Sequence, residues 1–317
     1  MKLSYRPEID GLRAIAVGAV ILYHAQINFL GHELFKGGFI GVDIFFVISG
    51  YLITSIILNE LVTTGSFSFK HFYERRIRRI LPVLLFVMLV SLPFAWMYLL
   101  PNSFIDFSKS VIYSLGFSSN FYFHFSGQQY GAESGLLKPF LHTWSLSVEE
   151  QYYIFFPVCL ILLYKYFKNH LLFLLSAGLL ISLVVADVSS KNNASITFYF
   201  LHTRMWELLF GSILAYLEIK KKRFNSNHKS FDQSYVILGL GLIFYSFFFL
   251  NDKILHPSLI SIIPIIGVGL IIWFANKNNF LIQILSSKLF VGTGLISYSL
   301  YLWHFPIFSF AKLTGFT

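Results

Sequence analysis

Apolar residues in this chain come in long runs, not in strand-like alternation. Runs long enough to cross a bilayer fall at about 12–30, 38–60, 80–100, 145–164, 171–187, 203–219, 234–250, 257–275 and 290–311. Short polar turns such as GHELFKGG separate them. A further stretch, about 104–125, is rich in aromatics but broken by Ser, Asn and His. The pattern predicts an all-α polytopic membrane protein, a bundle of about nine transmembrane helices with 104–125 as an interfacial or re-entrant segment. No soluble domain, long linker or fixed-period repeat interrupts it, so residues 1–317 read as a single integral-membrane domain.

Charge decides how the runs are threaded. With the amino terminus cytoplasmic and 104–125 not crossing, the inner turns collect 17 of the 24 Lys and Arg residues, including RRIRR at 75–79 and KKKR at 220–223. If 104–125 crossed, everything after it would invert and KKKR would move outside, against the positive-inside rule. Composition agrees: of 317 residues, 56% are hydrophobic and 12% charged, too apolar for a soluble domain of this size. The formal charge of +9 is then a matter of membrane orientation and calls for no nucleic acid. One cysteine, Cys159, excludes an internal disulfide and a thiolate metal cluster. The opening MKLSYRPEIDGLR is too long and polar for a signal peptide, so the first run is expected to stay as a span.

Ionisable residues inside apolar runs carry the candidate chemistry, because hydrocarbon makes them expensive to keep. In RAIAVGAVILYH, Arg13 and His24 are separated by close to three helical turns and share a face about 16 Å apart. Asp43, in GVDIFFVISGY, lies about as far after the first turn as His24 lies before it. The two are expected to touch, Asp43 fixing the imidazole tautomer and leaving a basic nitrogen for a substrate hydroxyl. HFYERRIRRILP offers Arg75, Arg76 and Arg79 at i, i+3 and i, i+4, guanidinium forks suited to phosphate or to acidic lipid headgroups. In LHTWSLSVEEQYY, Glu149 and Glu150 cannot both face lipid. Arg204 and Glu207 are expected to pair with each other, and His304 falls in the same outer layer as His24 and Asp43. No metal-ligand spacing is present. A basic phosphate-like site on one side and a polar layer on the other suit a phosphate-bearing donor and a separate acceptor. A proton-coupled exporter or flippase of a lipid-linked glycan accounts for the polar layer alone.

In combination these motifs resemble the membrane acyltransferase 3 family, whose members O-acetylate bacterial surface glycans. The matching blocks are YRPEIDGLRAIAV, GGFIGVDIFFVISGYLIT, FYERRIRRILP, HTWSLSVEEQYYIFFP, TRMWELLFGSILA and ISYSLYLWHFPI, in the family's order over nearly the whole chain. The resemblance implies an O-acetyltransferase of the bacterial cytoplasmic (inner) membrane. Its donor would be acetyl-CoA or a related acyl-CoA. Its acceptor would be a sugar hydroxyl of a surface glycan such as lipopolysaccharide O-antigen, with no metal. It implies Arg13 and His24 as an Arg-x10-His motif and Arg76 and Arg79 as an Arg-x-x-Arg motif, with Asp43, Glu150 and His304 in matching blocks. Members of the family carry a further helix ending near a Glu-Arg-Pro-Phe pattern. This chain stops at Thr317 before it, leaving open a truncated chain, a fragment, a naturally short member or an inactive assembly partner.

Overall fold

The computed structural model describes residues 5–29, 32–129, 134–221 and 229–315, so Lys2, Lys222, Arg223 and the last two residues lie outside the described part. Among the described residues fourteen α-helices follow one another. They begin with α1 (Pro7–His24), α2 (Gly41–Thr64), α3 (Phe69–Tyr98), α4 (Pro101–Leu115), α5 (Ser119–Gly127), α6 (Thr143–Tyr166) and α7 (Leu171–Asn192). The second half comprises α8 (Ala194–Tyr199), α9 (Leu201–Lys221), α10 (Lys229–Phe249), α11 (Ile262–Phe274), α12 (Phe280–Leu285), α13 (Lys288–Leu295) and α14 (Ser297–Leu313). The only strands among the described residues are the two-residue β1 (Asn28–Phe29) and β2 (His32–Glu33), paired antiparallel. Among the described residues five helices are long and apolar enough to cross a bilayer: α2, α3, α6, α7 and α10.

Local sequence accounts for the helix ends. Pro7 occupies the first turn of α1, where its missing N–H costs nothing, and Glu8 and Asp10 face the positive end of the dipole. Gln26 turns the chain just past α1 with φ of 49°. The first helix therefore runs over residues 7–24 instead of the expected 12–30, and His24 is its last residue. Gly65, at φ of 74°, ends α2 in the left-handed conformation glycine adopts without strain. The expected segment 104–125 is two helices, broken at Phe117 with φ of 49°. At 15 and 9 residues, neither α4 nor α5 has the length of a crossing. The expected run 290–311 is likewise two helices, α13 and α14.

The chain forms two compact units. The first comprises residues 1–65 and 152–297. Its core joins Leu12 and Ala16 of α1, Ile44 and Val47 of α2, Trp206 of α9, Ile243 of α10 and Val268 of α11. Here α2 and α9 meet backbone to backbone. A Cβ on Gly50 would stand 1.9 Å from the Leu208 carbonyl oxygen, and one on Gly211 would stand 2.0 Å from that of Val47. Small residues that let helices approach this closely are the usual packing device within membranes. On α7, Phe173, Leu180, Ile181, Val184 and Val188 are exposed at helical spacing, an apolar stripe suited to lipid.

The second unit comprises residues 66–151 and 298–317. Buried hydroxyls fasten α4 and α5 to the start of α6. Ser114 lies 2.7 Å from Thr143, Thr143 donates to Ser119 at 3.0 Å, and Ser119 lies 2.8 Å from Ser147. Leu85, Phe86, Leu89 and Leu92 form the exposed apolar face of α3.

Candidate functional site

In the first unit, Arg13 stands in the second turn of α1 and reaches Asp10 at 3.4 Å, while its Nε is buried without a hydrogen-bond partner. Tyr5 donates to the other Asp10 oxygen at 2.7 Å, and that bond is the main reason its phenol is pushed up to about 12. At the far end of the helix, the half-buried His24 places Nδ1 3.0 Å from the Val20 carbonyl. A carbonyl oxygen only accepts, so Nδ1 carries the hydrogen and the neutral ring keeps its lone pair on Nε2.

Asp43 does not supply that orientation, contrary to the sequence expectation. Its carboxylate is fully buried and engaged by Arg204 Nη1 at 2.7 Å, with His256 Nε2 at 3.3 Å. A guanidinium offers far stronger bonds to a buried carboxylate than an imidazole does, which is the physical reason for the exchange of partner. Arg204 also holds Glu207 at 2.9 Å, the pairing expected three residues apart, and its Nη1 lies 3.1 Å from His256 Nε2. His256 Nε2 thus stands between a guanidinium that only donates and a carboxylate that only accepts, and Nδ1 lies 3.0 Å from Ser261 Oγ. Burial is the chief cause that lowers the His256 pKa, with Arg204 adding to it and Asp43 opposing. His256 escaped the sequence reading because a lone histidine in the short turn LHPSL lies between two apolar runs and signals nothing by itself.

Arg6 is a second feature the sequence did not reveal. It bonds Glu8 at 2.8 Å, the Tyr51 hydroxyl at 2.6 Å and the Ile272 carbonyl at 2.6 Å, while Tyr51 donates to Glu218. Its guanidinium thus ties the start of α1 to α2, α9 and α11.

In the second unit, Arg75, Arg76, Arg78 and Arg79 line the opening turns of α3. Arg75 and Arg79 are exposed, and Arg78 pairs with Glu74 at 2.7 Å. Arg76 is half-buried, with its guanidinium 5.5 Å from the Phe72 ring centre and 3.8 Å from Glu150. Of the two adjacent glutamates, Glu150 is the buried one. His304 lies on α14, where Nδ1 is 2.5 Å from the Tyr301 carbonyl, so its neutral ring also keeps the lone pair on Nε2. Beside it the buried ring of His142 lies 5.5 Å away, and Tyr301 donates to the His142 carbonyl at 3.0 Å. His142 belongs to the HTWSLSVEE block but had not been singled out as a site residue. The expected site residues therefore divide, with Arg13, His24 and Asp43 in the first unit and Arg75, Arg76, Arg79, Glu150 and His304 in the second. Among the described residues no three His, Cys, Asp or Glu side chains form a metal-sized group.

Comparison with known proteins gives this arrangement a context. A Staphylococcus aureus (strain MSSA476) protein named "Putative O-acetyltransferase SAS0844" is 35% identical over 320 residues, covering 98% of this chain and 52% of that protein. O-acetyltransferase OatA of S. aureus (strain NCTC 8325 / PS 47) is 32% identical over 320 residues, covering 97% of this chain and 51% of its own. The chain spans about half the length of the curated relatives it matches. No solved structure matches it. Residues 6–316 match the family described as "Acyltransferase domain". By that near-complete match, the chain belongs to the Acyltransferase domain family.

Proposed function

We propose that this chain is a membrane O-acyltransferase that moves an acyl group, acetyl in the simplest case, from acyl-CoA to a sugar hydroxyl of a surface glycan. It sits in the bacterial cytoplasmic membrane as a single transmembrane domain of nine crossings, with its amino terminus in the cytoplasm. The observation that carries the reading is the pinned imidazole of His24, on the same helix as Arg13. Its hydrogen is committed to Val20, which leaves Nε2 as the nitrogen able to accept a proton.

Arg75, Arg76 and Arg79 hold the phosphates of CoA, and Arg13 guides the pantetheine arm. The acceptor hydroxyl gives its proton to His24 Nε2 as its oxygen attacks the thioester carbonyl. The C–S bond breaks, and the leaving thiolate takes the proton back from the imidazolium. General-base help of this kind contributes about 10²–10⁴-fold in rate. Glu150 steadies Arg76, and His304 serves the acceptor side as a second pinned imidazole.

The test is binding of acetyl-CoA to the purified chain in detergent, followed by turnover with a glycan acceptor. Saturable binding that weakens in Arg76→Ala/Arg79→Ala, with turnover lost but binding kept in His24→Ala, is the expected result. Unchanged affinity in the double arginine variant overturns the phosphate assignment. Full turnover in His24→Ala overturns the base.

A further inference from the structure

The most heavily buried charges in the first unit are not those assigned to the reaction. Asp43, Arg204 and Glu207 have side chains 0%, 1% and 0% exposed, with His256 beside them at 10%. They come from three segments: α2, α9 and the connection from α10 to α11. Two observations within this cluster do not balance.

The first is charge. Two carboxylates meet one guanidinium, and the ion pairs of both run to that guanidinium and to His256. Burial favours the neutral ring of His256, which brings no positive charge. With both acids ionised the cluster is one positive charge short, in a place where an uncompensated charge is strongly disfavoured. The second is hydrogens. Arg204 Nη1 has two, yet Asp43 Oδ1, Glu207 Oε1 and His256 Nε2 crowd it at 2.7, 2.9 and 3.1 Å. Beyond them, Asp43 Oδ2 and Glu207 Oε2 are both buried without a hydrogen-bond partner. A water would satisfy lone pairs but leave the charge uncorrected. One added proton corrects both.

We propose that Asp43, Arg204, Glu207 and His256 form a buried proton-binding site, in which the two carboxylates share one proton in addition to the fixed charge of Arg204. Aromatic rings pack against the cluster. Phe46 and Phe198 lie under the guanidinium, with ring centres at 5.9 and 5.3 Å. The ring of Phe39 touches both His256 and Tyr23. α11 carries no ionisable residue, and Asp187 of α7 is engaged with Leu259 N–H and Lys191. Two acids on one cation are a coupled pair, so the proton belongs to the pair and not to one member. The site stands on burial and charge alone and does not depend on the acyl-transfer reading.

Infrared spectroscopy of the full chain in detergent at neutral pH tests it. The wild type is expected to show a carboxylic-acid carbonyl stretch that shifts in D2O and disappears in Glu207→Gln or in Asp43→Asn. Charge parity gives a second readout that does not need the band. Each single variant leaves one carboxylate opposite Arg204 and folds, whereas the double variant loses thermal stability. The wild-type melting temperature is also expected to fall from neutral to alkaline pH while that of Glu207→Gln stays level. A wild-type spectrum without the band overturns the proposal. So does a melting temperature that rises with sodium chloride but not with choline chloride, because the missing charge is then a bound cation.

Discussion

Replacing Gly211 with alanine tests the backbone contact between α2 and α9 and the charge cluster at once. The new Cβ would stand 2.0 Å from the Val47 carbonyl oxygen and 2.7 Å from the Tyr51 nitrogen, both main-chain atoms that cannot swing aside. Ordinary contact begins at 3.4 Å, so the helices must part locally by about 1.4 Å. Arg204 lies two turns before Gly211 on α9, and Asp43 lies one turn before Val47 on α2. Carried along the helices, that shift stretches the 2.7 Å Arg204–Asp43 contact to about 4 Å, beyond hydrogen bonding. Overpacking of this kind costs about 1–3 kcal/mol, and a charge-assisted hydrogen bond contributes about 1.5–3 kcal/mol. A loss of about 3 kcal/mol or more corresponds to an apparent melting temperature lower by roughly 10 °C. Intrinsic fluorescence in detergent is a suitable assay because Trp206 is buried in the same helix. Gly18, also on a helix, has nothing within 4 Å of its Cβ position, so Gly18→Ala is the matched control and should be neutral or slightly stabilising. If Gly211→Ala melts together with Gly18→Ala, the helices are not in backbone contact and the reasoning fails.

Arg204→Met leaves two buried carboxylates without their cation. It is expected to cost about 3–5 kcal/mol, read as loss of folded protein on gel filtration, whereas Arg78→Met in the exposed pair with Glu74 should change little. Arg6→Ala removes the hub joining α1, α2, α9 and α11, and limited proteolysis should cut first near the amino terminus; wild-type protection there would count against the hub. For His256 the sign follows from a folded pKa below the ordinary 6.5. Below about pH 6.5 the unfolded chain takes up a proton that the folded chain resists, so stability falls with acidification until the folded pKa is passed. His256→Gln should flatten that acid limb in a melting series, and an unchanged limb assigns it to another group.

Much of the molecule was legible because hydropathy and motif spacing are local. The apolar runs mark most of the long helices, and Arg204 with Glu207 could be paired from three-residue spacing alone. What remained hidden depended on contacts between distant positions or on where the chain turns. Asp43 and Arg204 are 161 residues apart, and nothing near Asp43 indicates that a guanidinium will arrive there before His24 does. The break at Phe117 divides a run that hydropathy reads as one, since composition records apolar content but not a positive φ. Arg6 was counted only among the inner basic residues that precede the first span; its burial arises when Tyr51, Glu218 and Ile272 converge on it.

The pinning of His24 and His304 has a consequence for covalent labelling. Nδ1–H donates to its own helix carbonyl in both the neutral and the protonated ring, so gaining or losing a proton at Nε2 requires no ring flip. Nδ1 stays a donor through a catalytic cycle, and proton exchange is confined to Nε2. An electrophile small enough to reach either imidazole should therefore mark the tele nitrogen alone, and the regiochemistry of the adduct would report on a hydrogen atom too light to observe directly.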